Sequence, residues 1–168
     1  MEKSTYLTFV LAHEFFAVNV ANVLEVLEQQ QITRVPKAPE HIMGIINFRG
    51  DILPVVNTRL KFSLGDDENI KNYIIVFDLT RNHNRYPVSA VVDGVKDVIE
   101  INSEEVMAVP EMGLSFDTRF ITGVIRRNND FIMLINPEKV FSGIDTEAVL
   151  IEDTTNQYNL KKNSYEIQ

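Results

Sequence analysis

Two stretches of the chain, GIINFRGDILPVVN (residues 44–57) and GVIRRNNDFIMLIN (residues 123–136), carry the same pattern at one constant spacing. Both begin with glycine and end with asparagine, and Asp51 of the first matches Asp130 of the second. In each, apolar β-formers flank a short polar turn, which is typical of a β-hairpin. A hairpin that occurs twice indicates an internal duplication.

The repetition continues outside these hairpins. Three further segments recur in the same order: VNVANVLEV ending at Val26 with AVVDGVKDV ending at Val98, ITRVP ending at Pro36 with VMAVP ending at Pro110, and YLTFVL from Tyr6 with YIIVFD from Tyr73. Phe62 also lies opposite Phe141. We therefore predict two copies of one unit, at about residues 5–62 and 73–141.

Each copy is predicted to consist mainly of short strands, and short strands at this spacing favour two small β-barrels over one sheet. A unit of about 65–70 residues has a marginal core alone, so we expect the barrels to pack together and exchange segments. Asn136, Pro137 and Glu138 predict the start of a short helix, because they supply an N-cap, a first-turn proline and an acid. Pro54 lacks an N–H and is expected at an edge strand or a bulge.

The boundaries follow from composition. Residues 63–72 form a polar connector between the copies. We predict one domain over residues 1–142, made of two barrel subdomains. Residues 143–168 are predicted to be a C-terminal extension, a short helix followed by a flexible tail.

The composition excludes several classes of function. The chain has 168 residues, a net charge of −8 and no cysteine. Disulfides, thiol catalysis and cysteine metal sites are therefore excluded, and a cytoplasmic location is favoured. The acidic balance opposes binding to nucleic acid or to an anionic membrane. We expect no signal peptide, and no apolar run of membrane-spanning length occurs.

A search for catalytic groups predicts that the protein is not an enzyme and uses no cofactor or metal. His13, His41 and His83 stand apart in the sequence and are expected to be solvated turn residues. No phosphate-binding loop or nucleophile elbow occurs. Arg126-Arg127 is compatible with a phosphate site, but surface charge is the simpler interpretation.

The run ITRVPKAPEHIMGIINFRGDILPVVNTRLKF (residues 32–62) resembles the signature of the CheW family, the coupling proteins of bacterial chemotaxis. The matching residues are Pro36, Pro39, Gly44, Asn47, Arg49, Gly50, Pro54, Arg59 and Phe62. Val23 and Glu25 match upstream, and Val92, Asp93 and Val95 match downstream. The resemblance covers about residues 5–142. Phe48 replaces the usual leucine, and Asn57-Thr58 replaces the usual Asp-Leu.

The resemblance implies a mainly β fold of two intertwined five-stranded SH3-like β-barrels with short helices, and no catalysis. It also implies two partners, the regulatory domain of the chemotaxis histidine kinase and the cytoplasmic tip of chemoreceptors. A cytoplasmic protein recruited to membrane receptor arrays, and monomeric when isolated, is expected. The receptor-binding residues carried over from the family are Arg49, Glu25, Val23, Gly44, Asn47 and Gly50. The kinase-binding residues are unknown at this stage, although we expect the first copy to supply most of them.

The duplication helps to interpret Arg49. The second copy has Asn128 at the matching position, so a hairpin of this kind does not require arginine. We therefore favour a partner-binding role, while an intramolecular pair with Glu25 remains the structural alternative. Gly44 matches Gly123 and is expected to be mainly structural.

Two alternatives remain open. One is a coupling protein for a chemosensory system that controls pili or gliding rather than flagella. The other, of a different class, is a tandem β-barrel that binds a small ligand or nucleic acid.

Overall fold

The computed structural model describes residues 2–65, 73–81, 83–109 and 120–142. These residues form ten strands: β1 Lys3–Leu11, β2 Glu14–Asn19, β3 Val23–Glu28, β4 Ile42–Phe48, β5 Asp51–Asn57, β6 Tyr73–Arg81, β7 Asn84–Val92, β8 Gly94–Asn102, β9 Ile121–Arg127 and β10 Asp130–Ile135. The short helices are α1 Thr58–Lys61 and α2 Pro137–Ser142, and 3-10 turns cover Val20–Asn22 and Ser103–Glu105. The predictions for residues 143–168, and for most of the connector, lie outside the described residues.

The strands form two five-stranded sheets with the same internal order. Sheet 1 is β8-β1-β2-β10-β9, and sheet 2 is β3-β6-β7-β5-β4. Each sheet takes two neighbouring strands from one copy and three strands from the other. The predicted mainly β fold with exchanged segments is therefore confirmed.

The strand registers define which residues of the two copies are equivalent. In the parallel pairs, Leu134 lies opposite Ala17 in sheet 1, and Val55 lies opposite Ser89 in sheet 2. Val55 therefore corresponds to Leu134, and Ala17 corresponds to Ser89. In the antiparallel pairs, Phe9 lies opposite Val95 and Phe77 lies opposite Val23, so Phe9 of β1 corresponds to Phe77 of β6.

The predicted match of Tyr6 with Tyr73 is therefore wrong by one residue. The counterpart of Tyr6 is Ile74, which is fully buried, whereas Tyr6 is half-buried. Two tyrosines near the start of similar apolar strands suggested the wrong alignment. A slip of one residue places a side chain on the opposite face of the sheet, so only the register could correct it.

Most of the core lies between the two sheets. One buried cluster draws on both copies, including Phe16, Phe62 and Phe77, and smaller clusters lie inside each barrel. The rings of Phe62 and Phe120 stack at 4.4 Å between centroids, and Phe77 lies 5.3 Å from Phe141. Such aromatic pairs add to the apolar burial that holds the barrels together.

The segment before each glycine-led hairpin is held in the same way. Thr33 and Ile45 exchange backbone hydrogen bonds of 2.9 and 2.8 Å, and Met107 and Val124 exchange bonds of 2.8 and 2.9 Å. The pairing of Thr33 with Ile45 places the Thr33 carbonyl against Gly44. A Cβ on Gly44 would lie 2.1 Å from the Thr33 oxygen, and its φ is 154°.

Each hairpin ends in an asparagine that caps the next helix. Asn57 Oδ1 accepts from the Leu60 N–H at 3.2 Å, and Asn136 Oδ1 accepts from the Glu138 N–H at 3.0 Å. The predicted cap at Asn136 is thereby confirmed. At Asn57, where the family usually has aspartate, the cap is retained because an amide oxygen also accepts from a backbone N–H.

Pro54 is not on an edge strand, because β5 lies between β4 and β7. The parallel pairing with β7 begins only at Val55, the next residue along the chain. The Pro54 carbonyl accepts a 2.5 Å hydrogen bond from the Ser89 hydroxyl. A register shift in β4 between Ile42 and Gly44 lies close by, so the bulge alternative describes this proline better. No helix of the described residues is long and apolar enough to cross a membrane.

Gly44→Ala is expected to lower the free energy of unfolding by about 3 kcal/mol or more, because the new methyl group meets a backbone oxygen in an unfavourable backbone conformation. Gly94→Ala is the matched control, since a Cβ there meets nothing within 4 Å. It should change stability by less than about 1 kcal/mol. Urea denaturation midpoints would measure both, and equal midpoints for the two variants would contradict this packing.

Candidate functional site

The turn between β4 and β5 consists of Arg49 and Gly50, which have φ values of 53° and 88°. Asn47 Oδ1 accepts from the Gly50 N–H at 2.9 Å and closes the turn. The equivalent turn of the second copy uses Asn128 and Asn129, at φ values of 51° and 68°. Asparagine and glycine adopt this conformation readily, whereas arginine does so at a cost of roughly 1 kcal/mol. The turn does not require arginine, and positive φ also occurs at other residues such as Ala12 and Lys37, so the backbone conformation alone assigns Arg49 no role.

Arg49 and Glu25 do form the intramolecular pair considered as the alternative. Arg49 Nη2 lies 3.2 Å from Glu25 Oε2, with the two side chains 67% and 39% exposed. The Arg49 guanidinium carbon also lies 4.8 Å from the centroid of the Phe48 ring. Such an exposed pair contributes only about 0–1 kcal/mol to stability. The pair orients the guanidinium but leaves most of it accessible to another molecule.

The other predicted site residues divide into two groups. Asn47 and Gly50 are exposed and lie on the Arg49 turn. Val23 is half-buried and packs against the large cluster that draws on both copies, and Gly44 is buried beneath Thr33. Gly44 has the structural role that its match to Gly123 favoured. Receptor binding by these residues stays a prediction.

Several exposed apolar residues were missed by the sequence reasoning, among them Val98, which is 62% exposed on β8, and two equivalent hairpin residues. Ile52 is 62% exposed and Phe131 is 58% exposed. They hold equivalent positions in the two copies, and Ile52 lies directly opposite Asn47 across the hairpin. Residues opposite each other share one face of the sheet, so Ile52 and Asn47 are neighbours on the surface. The signal available in the sequence was an apolar residue directly after the turn aspartate in both copies.

A partly buried ion pair connects two motifs of the family resemblance. Arg59 Nε lies 2.9 Å from both carboxylate oxygens of Asp93, and each side chain is 12% exposed. Asp93 Oδ2 also accepts from the Ala12 N–H at 2.6 Å. Arg59 belongs to α1, and Asp93 lies between β7 and β8. The pair therefore stabilises the segment in which the chain crosses from sheet 2 to sheet 1.

Arg127 is engaged by neighbouring groups, which argues against a phosphate site at Arg126-Arg127. Its Nε and Nη2 donate to the two carboxylate oxygens of Glu105 at 2.9 and 3.0 Å, and Nη2 also donates to the Glu100 carbonyl. The hydrogen bond from Arg127 lowers the pKa of Glu105, and the same bond raises the pKa of Arg127. Surface charge remains the better interpretation of these arginines.

No metal or catalytic centre emerges from the described part of the chain. Among residues 2–65, 73–81, 83–109 and 120–142, no group of three or more His, Asp or Glu residues could hold a metal ion. His13 and His83 are exposed turn residues, as predicted. His41 differs, because it is half-buried before β4 and its Nε2 has no contact with solvent.

Comparison with known proteins agrees with the resemblance. A family model described as "CheW-like domain" matches residues 5–145. The chemotaxis protein CheW of Klebsiella aerogenes is 28% identical over 153 residues, which cover 91% of this chain and 89% of that protein. Protein FrzA of Myxococcus xanthus is 28% identical over 130 residues, covering 76% of this chain and 79% of that one. The crystal structure of the scaffolding protein TtCheW from Thermoanaerobacter tengcongensis superposes with a TM-score of 0.74 at 28% identity, covering 85% of this chain and 95% of that one.

Glu105→Gln is expected to destabilise the protein at neutral pH and to lose that effect in acid. The folded-state pKa of Glu105 is lowered, so its contribution is present above the unfolded pKa and disappears as pH falls through the folded value. The difference in melting temperature between wild type and variant should therefore be largest near pH 7 and shrink below about pH 4.5.

Glu104→Gln is the control, because it neutralises the adjacent exposed carboxylate. It should leave the melting temperature almost unchanged across this pH range. A difference for Glu105→Gln that stays constant from pH 7 to pH 3 would show that the pair with Arg127 does not stabilise the fold.

Proposed function

The chain belongs to the CheW-like family, and we propose that it couples the cytoplasmic tips of chemoreceptors to a chemotaxis histidine kinase. Members of this family are non-catalytic scaffolds of chemotaxis, so the protein is an adaptor rather than an enzyme. An adaptor needs two partner surfaces and no reacting groups. The observation that carries the proposal is the exposed Arg49 guanidinium held by its pair with Glu25.

The receptor surface is proposed at the Arg49 turn. Arg49 combines an accessible guanidinium with an orientation set by Glu25 and Phe48. Arginine held in this way is a common source of binding energy, because its planar donors meet a carboxylate or a backbone carbonyl in a defined geometry. Asn47 and Gly50 extend the polar surface beside it. A helical receptor tip is the expected ligand.

The kinase surface is proposed around Ile52, on the face of the first hairpin that Ile52 shares with Asn47, so the two partner surfaces adjoin there. A large aliphatic side chain that is 62% exposed is available for contact with a second barrel. Its place in the first copy agrees with the expectation that this copy supplies most of the kinase contact. Phe131 holds the equivalent position in the second copy. The kinase regulatory domain, itself a similar double barrel by the family resemblance, is the expected partner.

The same proposal places the protein in the cytoplasm, recruited to membrane arrays only through receptors, and monomeric when isolated. The alternative within the family is a coupling protein for a chemosensory system that controls pili or gliding. It is retained because protein FrzA is among the similar proteins. The net charge of −8 opposes nucleic acid as the ligand in the tandem-barrel alternative.

Two substitutions should separate the two surfaces. Arg49→Asn places in the first turn the residue that the second turn already uses, so the hairpin should fold normally while the guanidinium is lost. It should weaken binding of a receptor cytoplasmic fragment at least tenfold and leave kinase binding unchanged. Ile52→Lys should have the reverse effect. Isothermal titration calorimetry with each purified partner would measure both.

Phe131→Lys is the matched control, since it introduces the same charge at the equivalent exposed position of the second copy. It should weaken kinase binding less than Ile52→Lys does. Unchanged receptor affinity in a folded Arg49→Asn variant would make Arg49 only a brace and would overturn the receptor site. Wild-type protein that binds neither partner would overturn the proposed function.

A further inference from the structure

Strands β3 and β8 hold equivalent places in the two sheets. Each is an edge strand, and each is the first strand after the chain has crossed from one sheet to the other. Each also contains a register shift, just before Glu25 in β3 and near Asp97 in β8. The two strands differ in the side-chain contacts that hold their first residues in place.

The first difference is the partly buried ion pair at the start of β8. Asp93 precedes β8 and bonds both Arg59 and the Ala12 N–H, which belongs to the turn between β1 and β2 of sheet 1. At the start of β3 the equivalent of Asp93 is Ala21, and the equivalent of Arg59 is Glu138. A methyl group and a carboxylate cannot form this pair. The crossover into β3 therefore lacks the ion pair that stabilises the crossover into β8.

The second difference lies at the register shift. The Thr8 hydroxyl donates to the Asp97 carbonyl and accepts from the Asp97 N–H, both at 2.9 Å. This one side chain satisfies two backbone groups where the ladder is interrupted. The equivalent of Thr8 in sheet 2 is Val76, which lies opposite Glu25. Valine has nearly the shape of threonine but no hydroxyl, so Val76 supplies no side-chain bond of this kind at the register shift in β3, while Glu25 itself pairs with Val76 in the ladder.

The length of the strands adds to the difference. β8 has 9 residues and β3 has 6. A shorter edge strand with fewer fastenings opens locally more often, because less structure must be released. The missing ion pair and the shorter length act in the same direction.

We propose that β3 is the adjustable strand of the double barrel, opening locally while β8 and the rest of the fold stay closed. Because Glu25 lies on β3 and Arg49 on the facing hairpin, each opening of β3 breaks the pair that orients the guanidinium. A ligand that binds the closed pair shifts β3 toward its closed state. This last step rests on the proposed function, whereas the difference between β3 and β8 belongs to the isolated protein.

Amide hydrogen exchange, followed by NMR on the isolated full chain, tests the proposal at matched positions. After correction for intrinsic rates, the amides of Glu25–Leu27 should exchange at least tenfold faster than those of Asp97–Ile99. Thr8→Val, a nearly isosteric change, should speed exchange in β8 severalfold and leave β3 unchanged. The reciprocal Val76→Thr should slow exchange in β3.

A second pair of variants keeps the test independent of these buried positions. Ala21→Asp combined with Glu138→Arg would reproduce the ion pair at surface positions and should slow exchange in β3, whereas Ala21→Asp alone should not. Equal exchange of the two strands in the wild type would overturn the proposal. So would exchange in β3 and β8 that stays the same in all of these variants.

Adding a receptor cytoplasmic fragment separates the strand proposal from the proposed function. A fragment that binds should slow exchange in β3 and leave β8 unchanged. Binding without slower exchange would overturn the link between β3 and the ligand. A fragment that does not bind would contradict the proposed function, while faster exchange of β3 than β8 in the isolated chain would still support the adjustable strand.

Discussion

The structure depends on an exchange of strands between two equivalent units. The chain crosses between the sheets at Val20–Asn22 and at Asp93, and these two crossings give each sheet strands of both copies. Neither copy could complete a five-stranded sheet alone. The largest buried cluster lies between the sheets and draws on both copies, so separating the barrels would expose it to water. The two barrels therefore form one folding unit, although each has a small core of its own.

The two copies have equivalent backbones, and they differ in the side chains that those backbones carry. At the hairpin turn the first copy has Arg49 where the second has Asn128. One residue earlier, a buried Phe48 corresponds to Arg127, which bonds Glu105. The first copy thus has an apolar hairpin end with an accessible arginine, and the second has a closed ion pair. Because the backbones are equivalent, such differences reflect the side chains and not the fold.

Much of this architecture could be predicted from the sequence. The hairpins were identified because apolar residues flank turn formers twice at one spacing, and the exchange of segments followed from the small size of each copy. The alignment of Tyr6 with Tyr73 was wrong, because two similar apolar strands differ by one residue and only hydrogen bonding decides the register. Pro54 was expected at an edge strand or a bulge, and the sequence could not choose between them, because it does not show that pairing with β7 begins one residue later.

The candidate site was predictable in part. The family motif supplied Arg49 and Glu25, and the structure brings them into contact. The pairing of Arg59 with Asp93 could not be inferred, because the residues are far apart in sequence and meet only after the chain has crossed between sheets. The exposure of Ile52 was hidden for a different reason, since an isoleucine in a strand is usually expected to face the core.

The central proposal is that one double barrel presents two partner surfaces at the same time. The most direct measurement mixes the purified protein with the kinase regulatory domain and a receptor cytoplasmic fragment and determines the mass of the products by size-exclusion chromatography with light scattering. The account predicts one species that contains all three components. Separate binary complexes, in which each partner displaces the other, would contradict it.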